Sequence, residues 1–421
     1  MAVVSEDRNG TLIIGASQAG LQLAVSLRQL GDTAPITLVG EEPHPPYQRP
    51  ALSKEFLTAR TEFGALAFRD PSYYADAGIR LVCGERVGEL ALASSGPPGS
   101  GVAGTTYGRE LPFDRLALTV GAAPRRLILP GSDLDGICYL RDHADAAGLR
   151  SRLARAVSAV VVGGGFIGLE VAAAARALGV SVTVVEAADR LMGRAVAPLV
   201  SEFYRQAHQR RGVEVRLRAA VSGFEGEGGR VTGVRLSDGM LLPADVVLVG
   251  VGVIPRTELA EQMGLECDGG IVVDARCRTS DPTVVAAGDC TVRPHPMTGE
   301  GRVRLESVQN AVAQAQTAAA TLLGRADSED GTSAVPWFWS FQGDLRLQIA
   351  GLAAGYDAYV VRGNPDDERF SVLYYRRDRL VAIDAVNCPA DYMAVRKALA
   401  LGTDIAAHRA GDTGIPLKAL V

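Results

Sequence analysis

The sequence predicts an α/β protein in which two βαβ units precede a separate α+β domain at the C-terminus. The first observation is an order of features that occurs twice in the 421-residue chain: a short aliphatic run, a glycine-rich turn, an alanine-rich helical stretch, and a second aliphatic run that ends near an acidic residue. Strands that alternate with helices at this spacing form parallel sheets covered by helices. The second observation is a change to short β-like runs after about Gly331.

The first unit begins with aliphatic residues 11–14, which lead into the glycine turn of residues 15–20. Because alanine and leucine recur with helical spacing beyond the turn, we expect a helix to about Leu30. A second strand is expected over residues 36–39, and Glu41 follows it.

The second unit repeats this pattern with aliphatic residues 159–162 and the glycine turn of residues 163–168. A helix is expected to about Leu178, and a second strand over residues 182–185 ends at Glu186. Each unit therefore has the order of a Rossmann-like fold.

The remaining segments differ from this pattern. Residues 94–104 are rich in Ser, Gly and Pro, which indicates a hairpin loop or a flexible insert. The C-terminal part is predicted to contain four strands and a helix, near residues 346–350, 358–361, 370–375, 380–383 and 392–401.

Composition limits the classes of function. Hydrophobic residues make up 47% and charged residues 22%, with a net charge of -5, so the chain has no overall basic field for nucleic acid or an anionic membrane. No apolar run approaches the ~18 residues that span a bilayer, and the first ten residues lack the apolar core of a secretory signal. We expect a cytoplasmic protein.

The cysteines also exclude some chemistry. Positions 83, 138, 267, 277, 290 and 388 form no C-x2-C or C-x4-C pair. This spacing argues against a zinc site and against a redox-active dithiol, and we expect no bound metal.

The second glycine turn carries the stronger ligand-binding signal. Glycines in a turn that opens a helix let backbone N–H groups approach a pyrophosphate, which a Cβ would block. Gly163, Gly165 and Gly168 fill the pattern G-x-G-x-x-G, and Glu186 follows 23 residues after Gly163, where a carboxylate can accept both ribose hydroxyls. Such a carboxylate repels a 2′-phosphate, so NADH is favoured over NADPH. The alternative is a packing turn with no ligand.

The first glycine turn is weaker as a motif. Ser17 takes the place of the middle glycine between Gly15 and Gly20, although its small hydroxyl can donate to a phosphate. Glu41 stands 26 residues after Gly15 as a ribose acceptor. A packing turn is a fair alternative for this copy alone. A chain with two such folds usually binds a flavin in the first and a nicotinamide in the second.

A third element supports a flavin. The apolar residues 283–287 lead into Gly288 and Asp289. A carboxylate at a strand end can accept a hydrogen bond from a sugar-alcohol hydroxyl such as those of the ribityl chain, and the glycine allows close approach. An ordinary strand end is the alternative.

Together these features resemble the FAD-dependent, NADH-linked ferredoxin reductases that serve bacterial cytochrome P450 and Rieske oxygenase systems, within the glutathione-reductase-like flavoproteins. The similarity covers nearly the whole chain. Its motifs are at residues 47–54 (YQRPALSK), 119–125 (TVGAAPR), 139–141 (YLR), 163–170 (GGGFIGLE), 286–289 (AAGD), 306–311 (ESVQNA) and 336–340 (PWFWS).

The resemblance implies FAD and NADH as cofactors and assigns residues to them. The residues expected at FAD are Gly15, Ser17, Ala19, Gly20, Glu41, Arg49, Lys54, Val87, Arg141, Asp289, Val308 and Trp339, the last beside the exposed flavin edge. The residues expected at NAD are Gly163, Gly165, Ile167, Gly168, Glu186 and Gly252.

The same resemblance suggests three domains. The FAD-binding domain is predicted at residues 1–120 and 276–330 with 121–150 as a connecting part, the NAD-binding domain at 151–275, and the α+β domain at 331–421.

Lys54 and Glu170 are the predicted catalytic pair. Glu170 lies two residues beyond Gly168, in the first turns of the second nucleotide helix, so its side chain should face the nicotinamide end of the ligand. The resemblance implies that Lys54 meets it at the flavin ring. A cation there stabilises the negative charge of a reduced flavin, and the carboxylate keeps that cation paired. Two unrelated surface charges are the alternative.

The chain departs from the family pattern at three positions. Ser17 replaces a glycine, Phe341 stands where an aspartate is common, and Gln316 occupies a place where some relatives carry a basic residue that faces the ferredoxin. Arg302, Arg304 and Arg346 are the candidates for a local basic docking face, and scattered solvated arginines are the alternative.

The positions of the cysteines indicate how electrons leave the protein. Related disulfide reductases use a cysteine pair, and related NADH oxidases use one cysteine soon after the first ribose acid, yet residues 41–58 contain no cysteine. Electrons should therefore leave singly to an external acceptor. The resemblance implies that this acceptor is a small iron–sulfur ferredoxin, which feeds a cytochrome P450 or Rieske oxygenase. Alternatives are a reductase of rubredoxin or monodehydroascorbate, or an apoptosis-inducing-factor-like redox-controlled binding protein. A monomer or weak dimer is expected.

Overall fold

The computed structural model describes residues 9–95, 97–325 and 335–421. Taken over these residues, the chain divides into two compact units. The first unit comprises Met1–Gln48, Ala67–Ala123 and Ile254–Pro336, and the second comprises Arg49–Leu66, Pro124–Val253 and Trp337–Val421.

A five-stranded parallel sheet forms the centre of the first unit. From one edge to the other its strands are Val284–Ala286, Arg115–Leu118, Thr11–Ile14, Ile36–Gly40 and Ile79–Cys83. Every residue of Thr11–Ile14 is buried, because a central parallel strand is covered on both faces. The carboxyl ends of these strands lie at one edge of the sheet, so the residues that follow Ile14, Gly40 and Ala286 share that edge.

Helices and smaller sheets complete the first unit. Its helices are Gln18–Gln29, Pro71–Asp76, Glu258–Gln262 and Val308–Leu322. Its smaller sheets contain the strands Val87–Leu92, Gly101–Thr105 and Glu110–Phe113, and the strands Ile271–Val272, Thr291–Pro294 and Arg302–Val303. Helices Gln18–Gln29 and Val308–Leu322 pack on the central sheet through small and aliphatic side chains such as Leu23 and Ala315.

A second five-stranded parallel sheet lies in the second unit. Its order is Val213–Leu217, Ser181–Glu186, Ser158–Val162, Val246–Val249 and Ile137–Cys138. An antiparallel sheet of Val221–Glu227, Arg230–Leu236 and Leu241–Pro243 packs beside it, as do helices His143–Leu153, Phe166–Ala177 and Pro198–Arg210. The short strands Ala122–Pro124 and Val253–Pro255 lie at two of the five points where the chain passes from one unit to the other.

The C-terminal part of the second unit is an antiparallel sheet with helices. Its strand order is Trp337–Gln342, Leu345–Gly351, Arg379–Val386, Arg369–Arg376 and Ala358–Asn364. Its α-helices are Pro389–Leu401 and Ala407–Ala410. Short 3₁₀ helices in the second unit are Arg49–Ala51, Phe63–Leu66, Pro365–Asp367 and Leu417–Leu420.

The predicted fold class is confirmed, and the strands and helices of both βαβ units lie within a residue or two of their predicted bounds. The expected loop over residues 94–104 is partly wrong, because Gly101–Thr105 is a strand that pairs with Val87–Leu92 and buries Ala103. The division into three domains remains a prediction, and its boundary at residues 330 and 331 lies outside the described residues.

Candidate functional site

The first glycine turn has a backbone that excludes side chains at two positions. Gly15 has a φ of +117°, and a Cβ built there would lie 2.1 Å from the carbonyl oxygen of Thr119. A Cβ on Gly20 would lie 2.0 Å from the carbonyl oxygen of Gly15. Ser17 is the residue before helix Gln18–Gln29, and its extended φ of -133° is open to any L-residue. The serine therefore fits the turn without backbone strain.

Glu41, the predicted ribose acceptor of the first fold, has a partner that sequence reasoning missed. The Arg256 Nη1 atom lies 2.5 Å from its Oε1 atom, and both side chains are partly exposed. Arg256 is more than 200 positions away in sequence, and no spacing rule points to it. The pair holds the Glu41 carboxylate just beyond strand Ile36–Gly40.

Asp289 lies at the end of strand Val284–Ala286, as predicted, at the same sheet edge as the glycine turn. The buried amide of Gln314 holds the preceding backbone, since its Oε1 atom accepts from the Gly288 N–H at 2.9 Å and from Asn310 Nδ2 at 3.0 Å. Gln314 belongs to helix Val308–Leu322, so this helix fixes the strand end. The sequence motif included Asn310 but gave no reason to expect Gln314.

The remaining predicted flavin residues of the first unit have structural surroundings that are compatible with that role. Val308 is the first residue of its helix, after the N-cap Ser307. Ala19 is buried in the helix of the glycine turn, and Val87 is buried at the start of strand Val87–Leu92. Each lies at an element end or against a backbone turn, where a ligand could approach.

The second glycine turn repeats the backbone of the first. Gly163 has a φ of +108°, and a Cβ on Gly168 would lie 2.3 Å from the carbonyl oxygen of Gly163. Gly165 differs, because a Cβ there would meet no described atom within 4 Å. Gly165 is the N-cap of helix Phe166–Ala177, so the open space lies against the positive end of a helix. Ile167, in its first turn, is 42% exposed.

Glu186 is fixed by backbone donors on both of its oxygens. Its Oε2 atom accepts from the Gly164 N–H at 2.7 Å, and its Oε1 atom accepts from the Ala188 N–H at 2.8 Å. The carboxylate is thereby held beside the glycine turn, where the motif predicted it. Gly252 has a φ of +102° and lies beyond strand Val246–Val249 of the same sheet.

Arg49 and Arg141 are brought together in the second unit. The Arg49 Nη1 atom donates to the carbonyl oxygen of Arg141 at 2.9 Å. The Arg141 N–H donates to the Asp145 carboxylate at 2.9 Å, and burial raises the pKa of that carboxyl. This bond ties the 3₁₀ helix Arg49–Ala51 to the backbone at Arg141 within the second unit.

Lys54 and Glu170 form the predicted ion pair. The Lys54 Nζ atom lies 2.6 Å from Glu170 Oε2, and the two side chains are only 13% and 5% exposed. The ammonium also donates to the Pro50 carbonyl at 2.9 Å and to Ser53 Oγ at 3.2 Å. Ser53 donates to the same Glu170 oxygen at 2.5 Å. The geometry thus confines a positive charge to one place.

Glu170 has a further donor that the sequence did not reveal. Ser340 donates to Glu170 Oε1 at 2.7 Å from strand Trp337–Gln342. Along this strand Ser340 and Gln342 are buried, whereas Trp339 and Phe341 are partly exposed on the opposite face. The guanidinium carbon of Arg346 lies over the Phe341 ring, 5.6 Å from the ring centroid.

Two of the three predicted docking arginines, Arg302 and Arg304, have carboxylate partners. Arg302 pairs with Glu266 at 2.9 Å and Arg304 with Glu306 at 2.9 Å, all within the first unit. Arg302 and Arg304 are therefore not an uncompensated basic patch. Gln316 is an exposed residue of helix Val308–Leu322.

Burial disfavours the thiolate form of the cysteines. All six cysteines are free, and burial raises the pKa of Cys277 and of Cys290 to about 12. Among the described residues no cluster of His, Cys, Asp and Glu is suited to hold a metal ion. No helix in the described part of the chain has the length and apolar character needed to cross a membrane.

The geometry of the two glycine turns is suited to dinucleotide binding. Each turn excludes side chains at its first and last glycine, directs a helix N-terminus at the sheet edge and has a carboxylate after the second strand. This geometry suits a pyrophosphate at the helix end and a ribose at the carboxylate. Fold and sites together define an oxidoreductase with two dinucleotide cofactors.

Comparison with known proteins places the chain in a family. Residues 10–315 match the pyridine nucleotide-disulphide oxidoreductase family, and residues 337–421 match the family described as reductase C-terminal. The rhodocoxin reductase of Rhodococcus erythropolis is 44% identical over 407 residues, which is 97% of this chain and 93% of that protein. The chain belongs to the pyridine nucleotide-disulphide oxidoreductase family.

Two solved structures are similar to this chain over nearly its whole length. The ferredoxin reductase for the CYP199A2 system from Rhodopseudomonas palustris has a TM-score of 0.92 at 41% identity, covering 98% of this chain and 100% of that one. The reductase in the covalent putidaredoxin reductase–putidaredoxin complex has a TM-score of 0.91 at 36% identity, covering 98% of both chains. The protein is an NAD(P)H-dependent flavoprotein oxidoreductase with FAD and NAD(H) as cofactors.

Proposed function

We propose that this enzyme takes hydride from NADH onto FAD and delivers the electrons singly to a small iron–sulfur ferredoxin. The observation that carries the proposal is the buried Lys54–Glu170 ion pair of the second unit. Similarity to a putidaredoxin reductase that was solved in complex with putidaredoxin supports the choice of acceptor. FAD, when bound, supplies the chemistry by accepting a hydride and releasing electrons one at a time.

Lys54 acts in this proposal through its charge. Each of its three ammonium hydrogens has an acceptor, namely Glu170, the Pro50 carbonyl and Ser53. The ammonium is therefore held in position before any ligand binds, and its field needs no reorganisation when negative charge develops nearby. Glu170 keeps the buried cation paired, which avoids the cost of an isolated charge.

Glu186 supports a preference for NADH. Its two oxygens are held by the Gly164 and Ala188 N–H groups at 2.7 and 2.8 Å. A carboxylate fixed in this way accepts ribose hydroxyls, whereas a 2′-phosphate at the same place meets a like charge. We expect faster reduction by NADH than by NADPH at equal concentration.

The wider context is proposed from the sequence resemblance. We propose that the reduced ferredoxin feeds a cytochrome P450 or Rieske oxygenase, that the enzyme acts in the cytoplasm, and that it is a monomer or weak dimer. Basic docking groups must be sought beyond Arg302 and Arg304, since these two are paired within their own unit.

Replacing the lysine tests the proposed pair. Lys54→Met removes the charge while keeping most of the length of the unbranched side chain, so we expect flavin reduction by NADH to slow by roughly one to two orders of magnitude. Lys54→Arg keeps the charge and is the matched control, and we expect it to lose less of the flavin reduction rate. Stopped-flow absorbance at the oxidised flavin band measures both rates, and equal rates in Lys54→Met and wild type would contradict the assigned role.

A second mixing step tests the acceptor. The NADH-reduced enzyme is mixed separately with a ferredoxin, a rubredoxin and oxygenated buffer. We expect ferredoxin to oxidise the enzyme fastest. Faster oxidation by rubredoxin would indicate that rubredoxin, and not ferredoxin, is the partner. Full turnover with oxygen alone would overturn the ferredoxin proposal.

A further inference from the structure

A buried chain of hydrogen bonds continues beyond Glu170 in the second unit. Ser340 Oγ lies 2.7 Å from Glu170 Oε1, Gln342 Nε2 lies 3.2 Å from Ser340 Oγ, and His208 Nε2 lies 2.7 Å from Gln342 Oε1. His208 is on helix Pro198–Arg210. The four side chains are between 0% and 5% exposed, so water does not compete for these bonds.

The chemistry of the groups determines where each proton lies. Ser340 has one proton, which it donates to the carboxylate, so its oxygen must accept from the Gln342 amide nitrogen. That nitrogen also lies 3.6 Å from the Met192 sulfur, a weak acceptor, which agrees with this amide orientation. The Gln342 oxygen then faces His208, whose Nε2 atom must carry the proton. Reversing the amide would place two acceptors at Ser340.

Every donor in this chain therefore points toward Glu170. Hydrogen bonds aligned in one direction polarise one another and favour the charged form of the terminal acceptor. Burial lowers the pKa of His208, which favours the neutral form of its ring. The titratable groups facing the chain are Lys54 at Glu170, and Tyr204 and Arg211 near His208, with Arg211 itself paired to Asp344 and Glu368.

We propose that His208 and Gln342 are positioning residues for Glu170, acting through Ser340 to stabilise its carboxylate and keep it directed at Lys54. The inference rests on the proposed function, in which this ion pair serves the flavin. Sequence spacing does not suggest it, because His208 and Gln342 are 134 positions apart.

The tautomer of His208 provides a test that is independent of activity. We expect the ¹⁵N spectrum of the holoenzyme to show a neutral ring protonated on Nε2 from about pH 5 to 8, the range in which an ordinary histidine titrates. His208→Gln assigns the signal among the five histidines. Protonation of Nδ1, or titration within this range, would overturn the proposal.

Variants test the effect on Glu170. His208→Leu and Gln342→Met remove the donors, and we expect the acid limb of the pH profile for flavin reduction to move up by about one pH unit, a tenfold slower rate on that limb with the same plateau. His208→Gln keeps an amide donor and should restore the profile. Tyr204→Phe is the matched control, since the buried Tyr204 hydroxyl has no hydrogen-bond partner among the described residues.

The outcomes separate the two proposals. A wild-type pH profile in His208→Leu and Gln342→Met, with only the thermal midpoint lowered, would overturn the positioning role. If Lys54→Met also reduces its flavin at the wild-type rate, the role of the ion pair itself fails. A slow Lys54→Met together with an unshifted His208→Leu would leave the ion pair supported and reject the positioning chain alone.

Discussion

At the scale of single residues, the positions Gly165 and Gly168 of the second turn are suited to glycine for different physical reasons. Gly168 has no room for a Cβ, since that atom would lie 2.3 Å from the Gly163 carbonyl oxygen. Gly165 has room, because a Cβ there meets no described atom within 4 Å and the φ of -81° is ordinary. Gly168 is required for backbone packing, whereas Gly165 leaves space for a ligand.

This difference predicts opposite results for two matched substitutions. Gly168→Ala should lower the thermal midpoint, because the backbone must shift to relieve the overlap. Gly165→Ala should keep the midpoint but raise the KM for NADH by roughly tenfold, since its methyl group occupies the approach of the pyrophosphate. Calorimetry and steady-state kinetics measure the two effects, and an unchanged KM in Gly165→Ala would contradict the assigned site.

At the scale of elements, the C-terminal sheet contains a buried carboxyl group. Asp384 lies in strand Arg379–Val386 and is fully buried. It accepts a hydrogen bond from the Tyr374 hydroxyl, and its other oxygen has no partner among the described residues. Burial raises the pKa of Asp384 to about 7. The folded sheet therefore holds a proton that the unfolded chain releases at lower pH.

The raised pKa predicts how stability changes with pH. Because the unfolded carboxyl titrates near 4, the folded protein binds more protons between about pH 4 and 7, and its stability falls as the pH rises through that range. Asp384→Asn removes this loss of stability. We therefore expect the free energy of unfolding to increase by roughly 1 to 3 kcal/mol at pH 8, and the increase to become smaller toward pH 5. Urea titrations at both pH values measure it.

A control in the same sheet makes the result specific. Asp378→Asn changes an exposed aspartate in the hairpin turn, where Asn tolerates its φ of +61°. Its effect on stability should be the same at both pH values. A gain in Asp384→Asn that does not depend on pH would contradict the raised pKa.

At the scale of the whole molecule, electrons should reach the acceptor without passing through sulfur. The buried Cys277 and Cys290 have raised pKa values, and burial also raises the pKa of Cys83, Cys138 and Cys388. A thiol that stays protonated is a poor nucleophile and a poor redox relay. We expect iodoacetamide treatment of the native enzyme to leave the rate of NADH-dependent ferredoxin reduction unchanged. Mass spectrometry counts the labelled thiols, and a rate loss that follows labelling of one cysteine would contradict this route.

Local sequence was sufficient to predict much of the fold. In both βαβ units the aliphatic runs and glycine turns end within a residue or two of the observed strands and helices. This succeeded because strand and helix periodicity and the glycine requirement are local properties. Strand Gly101–Thr105 was missed, since its two glycines and alternating small residues resemble a loop.

The candidate site was predicted unevenly for the same reason. Lys54 and Glu170 were paired through family resemblance, and the structure brings them together. Arg256 beside Glu41 and Gln314 behind Gly288 were not predicted, because each contact joins segments that no spacing rule connects.

The sequence alone determined the α/β class, the two dinucleotide folds and the carboxylates that follow their second strands, because each depends on the order of neighbouring residues. Only the tertiary structure decided which donors surround those carboxylates. Ser340 and His208 enter the Glu170 chain from a distant strand and helix, and their contribution depends on burial and on the direction of each proton. Burial and hydrogen-bond direction are properties of packed elements, and one-dimensional spacing does not encode them.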